Sequence, residues 1–217
     1  MWPRQSPLAA HFAQTRATFG EVAGMRVALR MPGAPGAVQV ADASCFVRAG
    51  VKGPGAAAWL EQRGVAVPAR PNTWAEAAGG LVARLGESEF LIEDGYGAGL
   101  AAALREAPPV DVAGVYPVLR QDASFVLGGD AAIAALAEVC SFNFARPDLP
   151  ADLLVMTRVA HISALAIPVA ADGRRAFRLW CDASYGPYLL ECLLEVAEGL
   201  GGGLAGLADL LPQPANP

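Results

Sequence analysis

What most constrains this chain is one order of elements that occurs twice. From Arg120 to Gly199 the residues read as strand, glycine turn, helix, long loop, two further strands and a closing helix, and the same order runs from Cys45 to Glu106. In the later copy, Gln121 to Leu127 is a strand pattern entering Gly128-Gly129, and Asp130 opens a helix that reaches about Val139. After the loop Ser141 to Leu153 come strand patterns at Leu154 to Ile167 and Ala176 to Cys181. A last helix begins near Ser184 with Tyr188, Leu189, Leu193 and Val196 at helical spacing. In the earlier copy, Cys45, Val47, Ala49 and Val51 alternate with their neighbours, the period of a strand. Gly53-Pro54-Gly55 turns the chain into a helix from Ala56 to Arg63, which Gly64 stops. Leu81 to Leu85 and Glu89 to Glu93 flank the short connection Gly86-Glu87-Ser88, and Gly97 to Glu106 closes the unit.

A shift of 76 residues, 129 less 53, lays Gly53 on Gly129 and Leu60 on Leu136. The repeat predicts a duplicated α+β unit, β-α-β-β-α in each copy, with helices covering the sheet. One unit is expected over residues 45–109 and the other over 110–199, joined at Pro108-Pro109. Residues 1–44 are read as an N-terminal arm, with a short helix to Thr15 and an alternating strand from Met25 to Met31. Residues 200–217 are read as a flexible tail hinged at Gly201-Gly202-Gly203, all within one compact body. Its apolar face (Leu204, Leu207, Ala208 and Leu211) is too short to hold a helix alone and has to dock. Both termini, with Trp2 and Leu8 at the start, are expected on a partner-facing surface, the alternative being a tail that finishes the core.

Composition bounds the function. The chain is 54% hydrophobic and 17% charged, with a net charge of -5, so a folded body is expected and a phosphate-binding surface is not. Nucleic acid is therefore not an expected partner. The apolar run from Tyr188 to Leu211 is broken by Glu191, Glu195, Glu198 and Asp209, which argues against a membrane span. Cys45, Cys140, Cys181 and Cys192 stand far apart, the opposite of zinc or redox spacing, and no signal-peptide pattern opens the chain. A cytoplasmic protein with free thiols follows as the expectation.

Each candidate for chemistry carries a plain alternative. Gly50, Gly53 and Gly55 invite a phosphate reading, but their spacing fits neither nucleotide fingerprint, and Asp130 at the equivalent turn would repel an anion. His161 beside Arg158, with His11 far away, lacks acidic residues at metal spacing. Ser124 and Ser163 lack a nucleophile elbow, and Cys140, ending a helix among apolar residues, reads as an inert thiol. Asp94, Asp111, Asp122 and Asp182 are conceivable bases, yet Asp94 and Asp182 sit where each repeat starts a helix, so capping accounts for both. Trp59 and Trp74, with Phe46, offer aromatic faces for a flat heterocycle or for the core. Trp74, Arg158 and His161 remain as candidate cofactor-binding residues; no catalytic or metal-ligating residue is assigned.

Several segments, in order, resemble a known family. They are Ser6-Pro7-Leu8-Ala9, Val67-Pro68, Pro71-Asn72-Thr73, Leu85 to Ile92, Gly129-Asp130-Ala131-Ala132 through Cys140-Ser141-Phe142-Asn143-Phe144, Phe177-Arg178-Leu179, Ser184-Tyr185 and Tyr188-Leu189. Together they resemble the gamma subunit of heterotetrameric sarcosine oxidase, itself related to the glycine-cleavage aminomethyltransferase. That resemblance implies paired ferredoxin-like units of the aminomethyltransferase folate-binding fold. It also implies a subunit that binds no cofactor, within a complex that oxidatively demethylates sarcosine or another N-methyl amino acid. The flavin- and folate-binding subunits of such a complex would be its partners. Phe46 to Leu60 is nearer the aminomethyltransferase side, which keeps tetrahydrofolate binding as the alternative. A small-molecule-sensing module is a third class.

Overall fold

The computed structural model describes residues 4–97, 99–171 and 174–213. In chain order the elements are α1 (Ala9–Ala13), β1 (Thr18–Val22), β2 (Met25–Arg30), β3 (Gln39–Asp42), β4 (Arg48–Lys52), α2 (Ala56–Glu61), β5 (Thr73–Ala77), β6 (Gly80–Arg84) and β7 (Glu89–Glu93). There follow α3 (Leu100–Glu106), β8 (Tyr116–Val118), β9 (Asp122–Gly128), α4 (Ala132–Val139), β10 (Val155–Val159), β11 (Ile162–Ala171) and β12 (Arg174–Asp182). A 3-10 turn at Ala183–Tyr185 leads into α5 (Gly186–Gly199), then β13 (Gly203–Leu204) and α6 (Leu207–Leu210). The class is α+β.

The chain divides into two units, and the division differs from the expected one. The first comprises residues up to Cys45, 122–151 and Val155 onward; the second comprises Phe46–Gln121 with Asp152–Leu154. Pro108-Pro109 is therefore not a join but lies inside the second unit. The strand that follows it, β8, pairs back onto β4, so the backbone hydrogen bonds of the sheet hold residues 116–118 in that unit.

In the second unit the antiparallel sheet has the order β5-β6-β7-β4-β8. Its core packs Val51, Val82, Phe90 and Ile92 of the sheet against Trp59, Leu60, Ala101 and Leu104 of α2 and α3. In the first unit the sheet has the order β10-β11-β12-β9-β3-β13, and β1 and β2 form a separate hairpin. The central strand β9 is buried from Ala123 to Gly128, so both its faces are covered. A side chain added at Gly186 of α5 would meet Ala123, and one added at Gly128 would meet Leu210 of α6. Positions 123 and 128 differ by an odd number, so α5 and α6 lie on opposite faces of that strand.

Each unit thus contains a run β-α-β-β-β-α, from β4 to α3 in the second and from β9 to α5 in the first, one strand more than the sequence pattern predicts. β5 lies between the helix stop at Gly64 and the strand pattern at Leu81, where no strand is read, and the expected single strand from Leu154 to Ile167 is two strands, β10 and β11. Both extra hairpins turn on two-residue connections with left-handed backbone, Ala78-Gly79 (φ 48° and 78°) and Ala160-His161 (φ 48° and 67°). Ala23-Gly24 makes the same kind of turn between β1 and β2, a hairpin also absent from the sequence reading. Such turns are ordinarily signalled by Asn-Gly or Asp-Gly, and alanine hides them.

The glycine turns match between the units. Gly53 and Gly129 have φ of 115° and 100°, and a side chain on either would overlap a carbonyl, that of Gly114 or of Ala37. The next helix is tied down in the same way: Gly55 donates its N–H to the Gly114 carbonyl at 3.0 Å, and Ala131 to the Ala37 carbonyl at 2.9 Å. Leu60 and Leu136, the paired helix positions, are both buried.

The C-terminal segment overturns the tail expectation. β13 pairs in parallel with β3, and α6 packs on β2, β3 and β9, with Leu207, Ala208 and Leu210 buried. The segment completes the core of its own unit. The glycine triplet is not a hinge: a side chain at Gly202 would fall on the backbone of Val38, so the residue is there for close approach. At the other end Leu8 is buried against α5 as well. Trp2 lies outside the described residues.

Candidate functional site

The sequence-predicted candidates sort by unit. Trp74 lies in β5 of the second unit, half-buried, with its backbone N–H donated to the Asp152 carbonyl at 2.9 Å. Its indole N–H is buried and meets no acceptor. Arg158 and His161 belong to the first unit. Arg158 is exposed on β10 opposite Ser163, and His161 forms the exposed tip of the β10–β11 turn. The backbone at His161 is left-handed, a conformation histidine adopts more readily than most side chains, so its role in the turn is evident. The other two aromatic candidates are engaged in packing. Trp59 is buried with the Arg63 guanidinium 3.8 Å over its ring, and Phe46 meets Tyr96 edge-on at 5.3 Å.

The carboxylates do what their positions suggest. Asp94 is buried and accepts the N–H groups of Ala101 and Ala102 at 2.8 and 3.1 Å, capping α3. Asp182 accepts the N–H of Ser184 at 2.8 Å at the start of the 3-10 turn, and the Ser184 hydroxyl and N–H hold its carboxyl below the ordinary range. Asp182 faces Asp122 across the β12–β9 ladder. Burial, together with the charges of Asp122 and then Asp182, pushes the neighbouring Cys181 thiol up to about 12. That is the reverse of an activated thiolate. Ser124 is fully buried, its hydroxyl accepting from Arg178 at 3.3 Å, so it presents no nucleophile to solvent. Tyr188 on α5 hydrogen-bonds Cys192 one turn on, which raises its phenol.

Two buried polar arrangements escaped the sequence reading. Arg48 and Glu93 face each other across β4 and β7 as an ion pair of 2.9 Å, with side chains only 4% and 1% exposed. Asp42 at the end of β3 accepts the Ser6 hydroxyl at 2.5 Å and the Ser44 N–H at 2.8 Å, tying the N-terminal segment to the sheet. Neither pair is visible as a motif, because the partners stand 45 and 36 residues apart. Among the described residues no group of His, Cys, Asp and Glu is arranged to hold a metal ion, and no helix is long and apolar enough to cross a membrane.

Two surface features stand out. The first unit has a cleft of about 420 Å³ between the loop 31–36 and the glycine triplet. Asp209 stands at its edge and accepts from Arg30 (3.2 Å), the Met31 N–H (2.9 Å) and the Gly206 N–H (2.9 Å). On the second unit the segment around β8 exposes large apolar side chains, Val110 at 69%, Tyr116 at 56% and Leu119 at 74%.

Compared with solved structures, the chain aligns over 95% of its length with the glycine cleavage system aminomethyltransferase T from Bartonella henselae, with a TM-score of 0.71 and 19% identity. The chain has an aminomethyltransferase-like fold. It spans 60% of that transferase. It also aligns with a chain of the heterotetrameric sarcosine oxidase from Corynebacterium sp. U-96, a structure in complex with pyrrole 2-carboxylate. There the TM-score is 0.66, the identity 22%, and the match covers 91% of this chain and 96% of that one. Both likenesses agree with the resemblance read from the sequence. No family model and no curated sequence matches the chain.

Proposed function

We propose that this chain is a gamma-type subunit, binding no cofactor of its own, of a heterotetrameric sarcosine oxidase or a related N-methyl amino acid oxidoreductase. The observation that carries this reading is the two-way span. This chain and a chain of the Corynebacterium enzyme cover 91% and 96% of each other, whereas the transferase extends well beyond the match. A subunit without its own chemistry acts through surface, and stable interfaces are anchored by aromatic and aliphatic side chains. Val110, Tyr116 and Leu119 supply such anchors. The matched glycine turns further support the view that the two units descend from one duplicated, ferredoxin-like plan.

The test is to recover the tagged chain at native abundance and identify what accompanies it. Larger flavin-bearing subunits in stoichiometric yield, with sarcosine turnover by the assembly but not by the purified chain, are the expected result. A chain that elutes alone, or that turns over sarcosine alone, overturns the proposal. A folate-binding, aminomethyltransferase-like role is the second reading, favoured by the higher TM-score of 0.71. Saturable quenching of tryptophan fluorescence by tetrahydrofolate in the purified chain would select it, with Trp74 as the reporter.

A further inference from the structure

The cleft beside the glycine triplet has an unusual inventory of donors. Arg30 lines it with a largely exposed side chain of which one guanidinium nitrogen, Nη1, donates to Asp209 at 3.2 Å. That contact engages one nitrogen of the planar fork, and the side chain, 65% exposed, keeps its remaining N–H groups open to solvent at the cleft. The Asp209 carboxylate is itself spent, one oxygen on Arg30 and the other on the N–H groups of Met31 and Gly206. On the opposite wall β13 is the last strand of its sheet. Gly203 and Ala205 donate inward to the carbonyls of Val38 and Val40, so the intervening Leu204 N–H points outward along the free edge, and Leu204 lines the cleft. The close approach of Gly202 to Val38 and of Gly36 to Gly202 brings the two loops together without side chains between them, leaving an open volume of about 420 Å³.

We propose that this cleft binds the carboxylate of an amino-acid-sized organic acid, gripped by Arg30 and by the outward N–H of Leu204. A planar guanidinium matches a carboxylate in shape and charge, and hydrogen bonds between charged partners are about twice as strong as neutral ones. The sheet edge, unpaired among the described residues, supplies a fixed second donor without an ordering cost. The glycine and alanine walls admit a small ligand, and the Asp209 carboxylate in the lining is held by Arg30 and the N–H groups of Met31 and Gly206. All the residues of the site belong to the first unit, and its test uses this chain alone.

The experiment is a titration of the ¹⁵N-labelled full-length chain with N-acetylglycine and, separately, with its neutral amide, N-acetylglycinamide. N-acetylglycine is expected to move the amide signals of Gly33, Gly203 and Leu204 saturably, with a dissociation constant in the millimolar range, and the amide is expected to bind about tenfold more weakly or worse. Arg30→Gln should lower affinity for the acid to that of the amide, and Arg30→Lys should fall between. Equal shifts with acid and amide, no saturable shift up to about 20 mM, or a folded Arg30→Gln variant that binds as the parent does would each overturn the proposal. The acid-versus-amide comparison on the unaltered chain decides even if a variant fails to fold.

Discussion

Leu207→Ala tests whether the C-terminal segment is core or connector. Leu207 opens α6, is fully buried, and belongs to a helix resting on β2, β3 and β9. Removing its isobutyl group costs the transfer free energy of the lost methyl and methylene groups plus the cavity left behind, about 2–5 kcal/mol in a site that cannot collapse. Collapse is restricted here. α6 is pinned at its first turn by Asp209, whose carboxylate accepts the Gly206 N–H at 2.9 Å and the Met31 N–H at 2.9 Å, and the floor beneath it is sheet. We therefore expect about 3 kcal/mol, which for a chain of this size lowers the melting temperature by roughly 6–12 °C. Urea unfolding followed by circular dichroism measures it, with Leu119→Ala, an exposed leucine of the other unit, as the control expected to change stability by less than about 0.5 kcal/mol. If Leu207→Ala melts like the control, the segment does not contribute to the core and the tail reading is restored.

Gly129→Ala should cost about 2–4 kcal/mol in the same urea assay, since φ of 100° strains any side chain and the added methyl would fall on the Ala37 carbonyl; a neutral result would refute the matched-turn argument. Leu119→Asp should leave the melting temperature unchanged while reducing recovery of co-purifying subunits several-fold, and undiminished recovery would remove the β8 segment from the interface. The Cys181 thiol, pushed up to about 12 in the fold, keeps a proton that the unfolded chain releases near its ordinary value of 9.0. Its contribution is thus complete below about pH 9 and is lost as pH rises from there toward 12. The urea midpoint of the parent should accordingly fall more steeply than that of Cys181→Ala between about pH 8.5 and 10.5, and parallel profiles would contradict the assignment.

Local physics makes part of this molecule legible in its sequence. Alternation at Cys45 to Val51 and the run Gln121 to Leu127 marked two interior strands, β4 and β9. The glycines at 53 and 129 marked their exits, because positions with φ near 100° admit little else. Leu60 and Leu136 marked the buried helix faces, and Asp182 was readable as a cap because capping is a short-range hydrogen bond, whereas Asp94 reaches N–H groups of α3 seven and eight residues on. What the residues could not reveal was decided by distant partners. The hairpins at Ala23-Gly24, Ala78-Gly79 and Ala160-His161 lack a turn dipeptide strong enough to read alone, and only sheet pairing on both sides fixes their left-handed backbone. The unit boundary depends on β8 returning to β4 and on β3, early in the chain, pairing with β9 late in it. The role of Gly201-Gly202-Gly203 reversed for the same reason. A glycine run reads as freedom in a sequence, but beside the Val38 backbone the absence of side chains is what lets β13 reach β3 and closes one wall of the Arg30 cleft.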